Sequence, residues 1–217
     1  MQNFLFDFDG TLINSAPGLM QSVIDVAAKN KLPYKTEDEI MPHLGLAEFH
    51  VFRDLYGVAA EEEAEISEQM SLRYAELADQ LQRPFAGIPD WLQMLKDDGA
   101  TLIVCSARQP QNSAPLLERM GLLSYFDDVW GNDEGSGRNT KAKVIEYELN
   151  KAKMDPLQTV MVGDKDFDCI AAKANGLFML GCSYGYGSPQ ELFDYKSDLI
   201  ISNVTQGQQA TRILRRM

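Results

Sequence analysis

The chain is 217 residues long and 45% apolar, enough for a substantial core in one large domain or two small ones. A formal charge of −12 and a pI near 4.6 argue against nucleic acid as a partner, because binding to phosphate backbones is dominated by basic contacts. An anionic substrate would have to be captured by local positive groups against the overall field.

The first element is the apolar run Phe4-Leu5-Phe6, which stops at Asp7-Phe8-Asp9-Gly10-Thr11. So short and aromatic a run between polar residues predicts a central strand of a parallel sheet, with Asp7 at its carboxyl tip and Asp9 two residues beyond. Ligands of such sheets lie beyond the carboxyl ends of the strands, and Gly10 lets the backbone turn closely around them. Two neighbouring half-buried carboxylates repel one another unless a cation or proton intervenes, so a magnesium ion and a phosphate are the economical guests. A calcium loop starting at Asp7 is excluded, since Thr11, Leu12 and Gly18 stand where an acid or amide, a Gly and a Glu are needed. The acids also interrupt the apolar start, and no basic region accompanies it, so no signal peptide is expected. No apolar run is long enough to span a membrane, and a cytoplasmic protein is expected.

Residues 16–82 carry helix signals alone. Pro17 lies near a helix start, Thr36 and Glu39 form a capping box, and residues 47–56 make a short amphipathic piece. Residues 61–82 open with acids and repeat Ile66, Met70, Tyr74, Leu77 and Leu81 at helical spacing. This predicts a small helical bundle inserted after the first strand. Lys29, Lys31 and Lys35 read as a solvated face, and His43, His50 and Arg53 are candidates for facing a substrate.

From residue 83 strands and helices alternate. A helix from Trp91 stops near Asp98-Gly99, and the β-branched run 101–105 predicts a strand ending in Ser106-Ala107-Arg108. A helix through Leu116, Leu117 and Met120 follows, then a short strand at Val129-Trp130, a polar glycine-rich loop over 131–140 and a helix over 141–153. The next strand, 158–163, ends in Asp164-Lys165-Asp166-Phe167-Asp168, and the helix after it is expected from Ile170 to Ala174. That acid cluster also fails as a calcium loop, with Cys169 in place of Gly and Asn175 in place of Glu. Strands at 178–180 and 199–201 follow, and the basic tail from Arg212 reads as a solvated helix end. Cys105, Cys169 and Cys182 are odd in number and set in apolar surroundings, as free thiols of a reducing compartment are, and no zinc-ligand spacing occurs. Repeated strand-helix-strand units imply an α/β fold, a doubly wound parallel sheet with helices on both faces.

In this order of motifs the chain resembles the haloacid dehalogenase superfamily of phosphohydrolases: Asp7-x-Asp9-Gly10-Thr11, then Ser106 after a strand, then Lys141, then Gly163-Asp164-x-x-x-Asp168. The resemblance covers nearly the whole length. It implies a Rossmann-like core of residues 1–15 and 83–217 and a helical cap, 16–82, of the phosphoglycolate-phosphatase-like type. Asn14, Ala107-Arg108 and Ala142 depart from common relatives. The implied activity is Mg²⁺-dependent hydrolysis of a small phosphate monoester through an aspartyl-phosphate. Asp7 is then the nucleophile and Asp9 the general acid and base; Mg²⁺ is held by the Asp7 carboxylate, the Asp9 carbonyl and Asp164. Gly10, Thr11, Ser106, Ala107 and the lysine surround the phosphate, and Asp168 orients the lysine or a metal-bound water. Helical periodicity selects Lys141 for that role, because Ile145, Leu149, Val144 and Ala152 cluster around it whereas Lys143 falls on the opposite side. Three alternatives stay open. A phosphomutase of the β-phosphoglucomutase type could share the core, a dehalogenase would lack the second acid, and a phospho-acceptor module would lack the helical insertion.

Overall fold

The structure, a computed structural model, describes residues 1–44 and 50–216. It divides into two units, Met1–Ile13 with Pro84–Met217, and Asn14–Arg83. In chain order the elements are β1 (Asn3–Phe6), β2 (Ile13–Asn14), the helices α1 (Ala16–Lys29), α2 (Glu37–Ile40), α3 (Val51–Tyr56) and α4 (Ala60–Leu81), and β3 (Arg83–Pro84). Then come α5 (Ile88–Asp97), β4 (Thr101–Ser106), α6 (Pro110–Arg119), β5 (Asp128–Gly131), α7 (Lys141–Ala152), β6 (Thr159–Gly163), α8 (Asp166–Ala174), β7 (Phe178–Cys182), α9 (Pro189–Asp194), β8 (Leu199–Ile201) and α10 (Val204–Leu214).

In the larger unit six strands make one parallel sheet in the order β5-β4-β1-β6-β7-β8. Successive residues of a strand point to opposite faces, and both faces here are covered, which is why the strands read as unbroken apolar runs. Phe4 and Phe6 of β1 join Val104, Val162 and Leu180 in a layer completed by Trp91 and Leu92 of α5 and Leu214 of α10. Leu5 joins Ile103, Met161 and Met179 in the opposite layer, completed by Val144 and Ile145 of α7 and by Ala171 and Ala172 of α8. From β1 the chain builds outward to β4 and β5, then returns to build β6, β7 and β8 on the other side. The order reverses at β1, so the crevice beyond its carboxyl end is the switch point where ligands of such sheets bind.

In the helical unit α1 and α4 pack together. Gly18 lets the Tyr74 ring approach, and Asp25 accepts from Arg73 Nε at 2.7 Å. Ile66, Met70, Tyr74 and Leu77 are buried along one face of α4, and the Thr36–Glu39 capping box forms. The amphipathic stretch expected from residue 47 begins outside the described residues. His50 Nδ1 lies 3.0 Å from the buried carboxylate of Glu63, and Arg53 Nη1 lies 3.9 Å from it.

Three expectations are corrected. α8 begins at Asp166, not Ile170, so Asp168 stands in its first turn, where a carboxylate can accept main-chain N–H groups. Ala152, expected on the apolar face of α7, is exposed at the helix end. The basic tail is not wholly solvated: Arg215 is half-buried and donates to the carbonyls of Met1, at 3.0 Å, and of Asp98.

Candidate functional site

The carboxyl ends of β1, β4 and β6 bring charged side chains together where little water reaches. Asp7 follows β1 directly, its amide still in the ladder through Val162 O at 2.8 Å, and is 4% exposed. Lys141 opens α7, where the Thr140 hydroxyl caps the helix through Lys143 N. Its ammonium lies 2.6 Å from Asp7 Oδ1 and 2.5 Å from Asp168 Oδ1, over the Phe167 ring. Lys143, two residues on, is exposed. Asp168 accepts on its other oxygen from the amides of Asp164 and Lys165, each at 3.0 Å. Gly163 makes room for it, because a side chain there would overlap the Asp168 carboxylate. Asp164, fully buried, accepts from the Thr11 hydroxyl at 2.7 Å and from Tyr186 N at 2.8 Å. Asp166, at the start of α8, is half-buried.

Carboxylate oxygens of Asp7, Asp164 and Asp168 all lie within 4.8 Å of one another. Three carboxylates against one ammonium leave negative charge uncompensated, and burial makes that expensive. The carboxyl of Asp7 is accordingly pushed well above its usual range by burial, with Lys141 opposing and Asp168 and Asp164 adding to the rise. Asp164 is pushed up to about 7, again first by burial and then by Asp168. For Lys141, burial would favour the neutral amine, but Asp168 and Asp7 outweigh it and hold the ammonium protonated. Cys105 beneath them is pushed up to about 12 by burial, so its thiol is inert here. An all-oxygen, anionic, buried donor set of this kind fits a small hard cation. Asp168 is already occupied on both oxygens by Lys141 and two amides, which leaves Asp7 and Asp164 as the carboxylates best placed to ligate.

Asp9 belongs to a second group. It is part-exposed, and its carboxylate sits in the fork of Arg108, with Nε 2.6 Å from Oδ2 and Nη2 3.2 Å from Oδ1. Ser106 ends β4, 2% exposed, and its hydroxyl accepts from Arg108 N at 3.1 Å. Ala107 is exposed at the turn between them. Gly10, at φ +79°, donates its amide to Ile13 O, and a side chain there would overlap Asp164.

Two parts of the site were not read from the sequence. Arg108 was noted only as a departure from relatives, although a lone arginine following a strand-tip serine is a signal for anion binding. The loop Tyr184-Gly185-Tyr186-Gly187 closes over Asp164: a side chain at Gly185 would overlap Gly10 O and Asp164, and the Tyr184 hydroxyl donates to Thr11 O at 3.0 Å. The signal was Gly-Tyr-Gly just past a strand, glycines that mark close backbone approach.

A family profile described as haloacid dehalogenase-like hydrolase matches residues 4–182. Among curated relatives, phosphoglycolate phosphatase of Mannheimia succiniciproducens is 27% identical, covering 91% of this chain and 92% of its own length. The enzyme of the same name from Agrobacterium fabrum is 28% identical over 92% of this chain and 87% of its own. A haloacid dehalogenase-like family hydrolase of Streptococcus pneumoniae shares the fold at a TM-score of 0.87 and 20% identity, covering 97% of this chain and 98% of its own.

Proposed function

The chain belongs to the haloacid dehalogenase-like hydrolases, and from that premise we propose that it is a Mg²⁺-dependent phosphatase of a small phosphate monoester, phosphoglycolate being the first ester to try. The observation that carries this reading is the buried set of Asp7, Asp164 and Asp168 around Lys141 at the switch point of the sheet. Residues 1–15 and 83–217 act as the catalytic core and residues 16–82 as the cap.

Asp7 attacks phosphorus, forming a carboxylate–phosphorus bond as the ester P–O bond breaks, and so divides one difficult displacement into two easier ones. Asp9 donates a proton to the departing alkoxide, then takes one from the water that attacks the aspartyl-phosphate. Inorganic phosphate leaves and Asp7 is regenerated. Ser106 and the Ala107 amide hydrogen-bond the phosphoryl oxygens and Lys141 balances their charge, while the Thr11 hydroxyl, expected on the phosphate, is engaged with Asp164 and holds that carboxylate in place. Gly10, whose amide is engaged with Ile13, contributes the tight turn that brings these donors together. The Asp7 and Asp164 carboxylates and the Asp9 carbonyl would hold Mg²⁺, which when bound screens one anion from the other and polarises the phosphoryl group. Asp168 positions Lys141. The three buried free thiols fit a reducing cytoplasm, and no helix among the described residues is long and apolar enough to cross a membrane.

The test is steady-state turnover of p-nitrophenyl phosphate with Mg²⁺ and after chelation, followed by a panel of small phosphate esters headed by phosphoglycolate. Many turnovers per protein with Mg²⁺ and none without are expected. A single stoichiometric burst would instead identify a phospho-acceptor module.

A further inference from the structure

Arg108 stands where the leaving group must pass. In the proposed reaction Asp9 touches the ester oxygen, and Arg108 already touches Asp9 through a two-point contact at 2.6 and 3.2 Å. The guanidinium is planar and pairs carboxylates in this forked manner, so the Asp9 side chain shows what ligand the fork accepts. Its base is fixed. Arg108 N donates to Ser106 Oγ, its carbonyl accepts from Asn132 N at 3.2 Å, and Gly131 leaves room for that carbonyl where any side chain would overlap it. The guanidinium also lies over the Phe8 ring, with Cζ 5.5 Å from the ring centroid. The Arg108 side chain is 28% exposed and that of Asp9 22%. A head with water access on an anchored backbone can change partners without disturbing the core.

We propose, building on the phosphatase reading above, that Arg108 is a specificity-determining residue that exchanges Asp9 for a carboxylate on the leaving part of the substrate. While the fork holds Asp9, both carboxylate oxygens face the guanidinium and the carboxyl is not directed at an ester oxygen. A substrate carboxylate one or two carbons from the ester oxygen lies about two hydrogen-bond lengths from Asp9, within reach of the same fork. It takes over Arg108 and releases Asp9 toward the leaving oxygen. An ester with an uncharged leaving part cannot compete for the guanidinium and leaves Asp9 engaged, which slows its turnover except where, as in p-nitrophenyl phosphate, the leaving group departs without needing a proton. Discrimination then comes from the core domain itself, by a repulsive default that only the right substrate lifts.

The test compares phosphoglycolate with its neutral isostere phosphoglycolamide, in wild type and in Arg108→Gln, with Mg²⁺ present. Wild type should prefer the acid, and Arg108→Gln should lower kcat/KM for the acid on the order of a hundredfold, as loss of one partner of a hydrogen-bonded charge pair does. The same variant should raise kcat for the amide, a gain that structural damage does not produce. Arg108→Lys should restore part of the preference for the acid, since it keeps charge without the fork. Equal losses on both substrates, or a wild type with no preference between them, would overturn the role of Arg108 while leaving the phosphatase reading in place. A wild type that turns over neither these two nor p-nitrophenyl phosphate would remove the phosphatase reading instead.

Discussion

At the amino ends of the sheet strands, charged groups stay close to water and bind main-chain oxygens: Arg215 donates to the carbonyls of Met1 and Asp98, and the Met1 ammonium to Leu214 O at 2.8 Å. At the carboxyl ends, Asp7, Lys141, Asp164 and Asp168 are each 5% exposed or less and bind one another. The first arrangement pairs its cations with main-chain oxygens, Arg215 Nε alone of that guanidinium's nitrogens being buried without a partner among the described residues, and ties the last helix to Met1. The second sets charge against charge; a buried charge cluster is less stabilising than apolar packing of the same volume, and here its charges do not balance. A fold that retains such a cluster at its ligand-binding edge is spending stability on chemistry.

The sharpest way to break that comparison is to remove the carboxylates of the first loop. Asp7→Asn should abolish phosphatase activity, and Asp9→Asn should lower kcat by at least on the order of a thousandfold, as removal of a nucleophile or general acid from a coupled unit does. Asp7→Asn should nevertheless melt no lower than wild type in the absence of metal, since it removes one of the mutually repelling carboxylates. Wild-type turnover, or a collapse of folding without activity data to separate, would put Asp7 among the structural groups; steady-state kinetics beside thermal melts distinguish these outcomes.

The next contrast lies within single motifs. Lys141→Ala should reduce kcat/KM on the order of a hundredfold, and Lys143→Ala should stay near wild type, because one ammonium is buried between Asp7 and Asp168 and the other is exposed. Asp164→Ala should raise the Mg²⁺ concentration needed for half-maximal rate steeply, whereas Asp166→Ala should change it little. A magnesium titration of both variants checks this, and the reverse ranking would move the ligand role to Asp166.

How far these elements could be read in advance follows from their chemistry. Strands buried on both faces announce themselves as continuous apolar runs, so β1, β4 and β6 were legible, and with them the tips that carry Asp7, Ser106 and Asp164. Lys141 was legible because it shares a helical face with Val144, Ile145 and Leu149. α10 was not, since its buried face includes Gly207, Ala210 and Thr211, residues that carry little apolar signal. Gly207 is needed there because the Trp91 ring of α5 occupies the space a side chain would take. α9 was missed for a similar reason, being six residues long with Leu192 its buried apolar residue. The Arg108–Asp9 pair spans 99 residues of sequence, and no local pattern encodes a contact of that kind.

pH should separate the two ends more gently. In the metal-free protein the folded state keeps the Asp164 proton up to about 7, while an unfolded chain releases it near 3.8. Between those values the folded state binds more protons, so stability falls as pH rises from about 4 to about 7 and levels off above. The raised Asp7 carboxyl acts in the same direction. Melts at pH 5, 6 and 7 in chelator should show this fall in wild type and a smaller one in Asp164→Asn, and Mg²⁺ should cancel it by taking the proton's place. A wild-type slope no steeper than that of the variant would mean that Asp164 is ionised without metal.

The smallest effect belongs to the amino end. Arg215→Ala removes a cation that donates to two main-chain carbonyls and links the last helix to the start of β1. Hydrogen bonds from charged donors contribute more than neutral ones, but this side chain is part-exposed and water can replace it at either carbonyl, so the cost should be about 1 kcal/mol. For a chain of this size that corresponds to a fall in Tm of about 2–4 °C. The residue lies at the opposite end of the strands from Asp7, and the sheet between them is packed on both faces, so kcat and KM should stay near wild type. A Tm loss accompanied by a proportionate loss of kcat would show that the two ends are coupled through β1, and the division between a clasp at one end and chemistry at the other would fail.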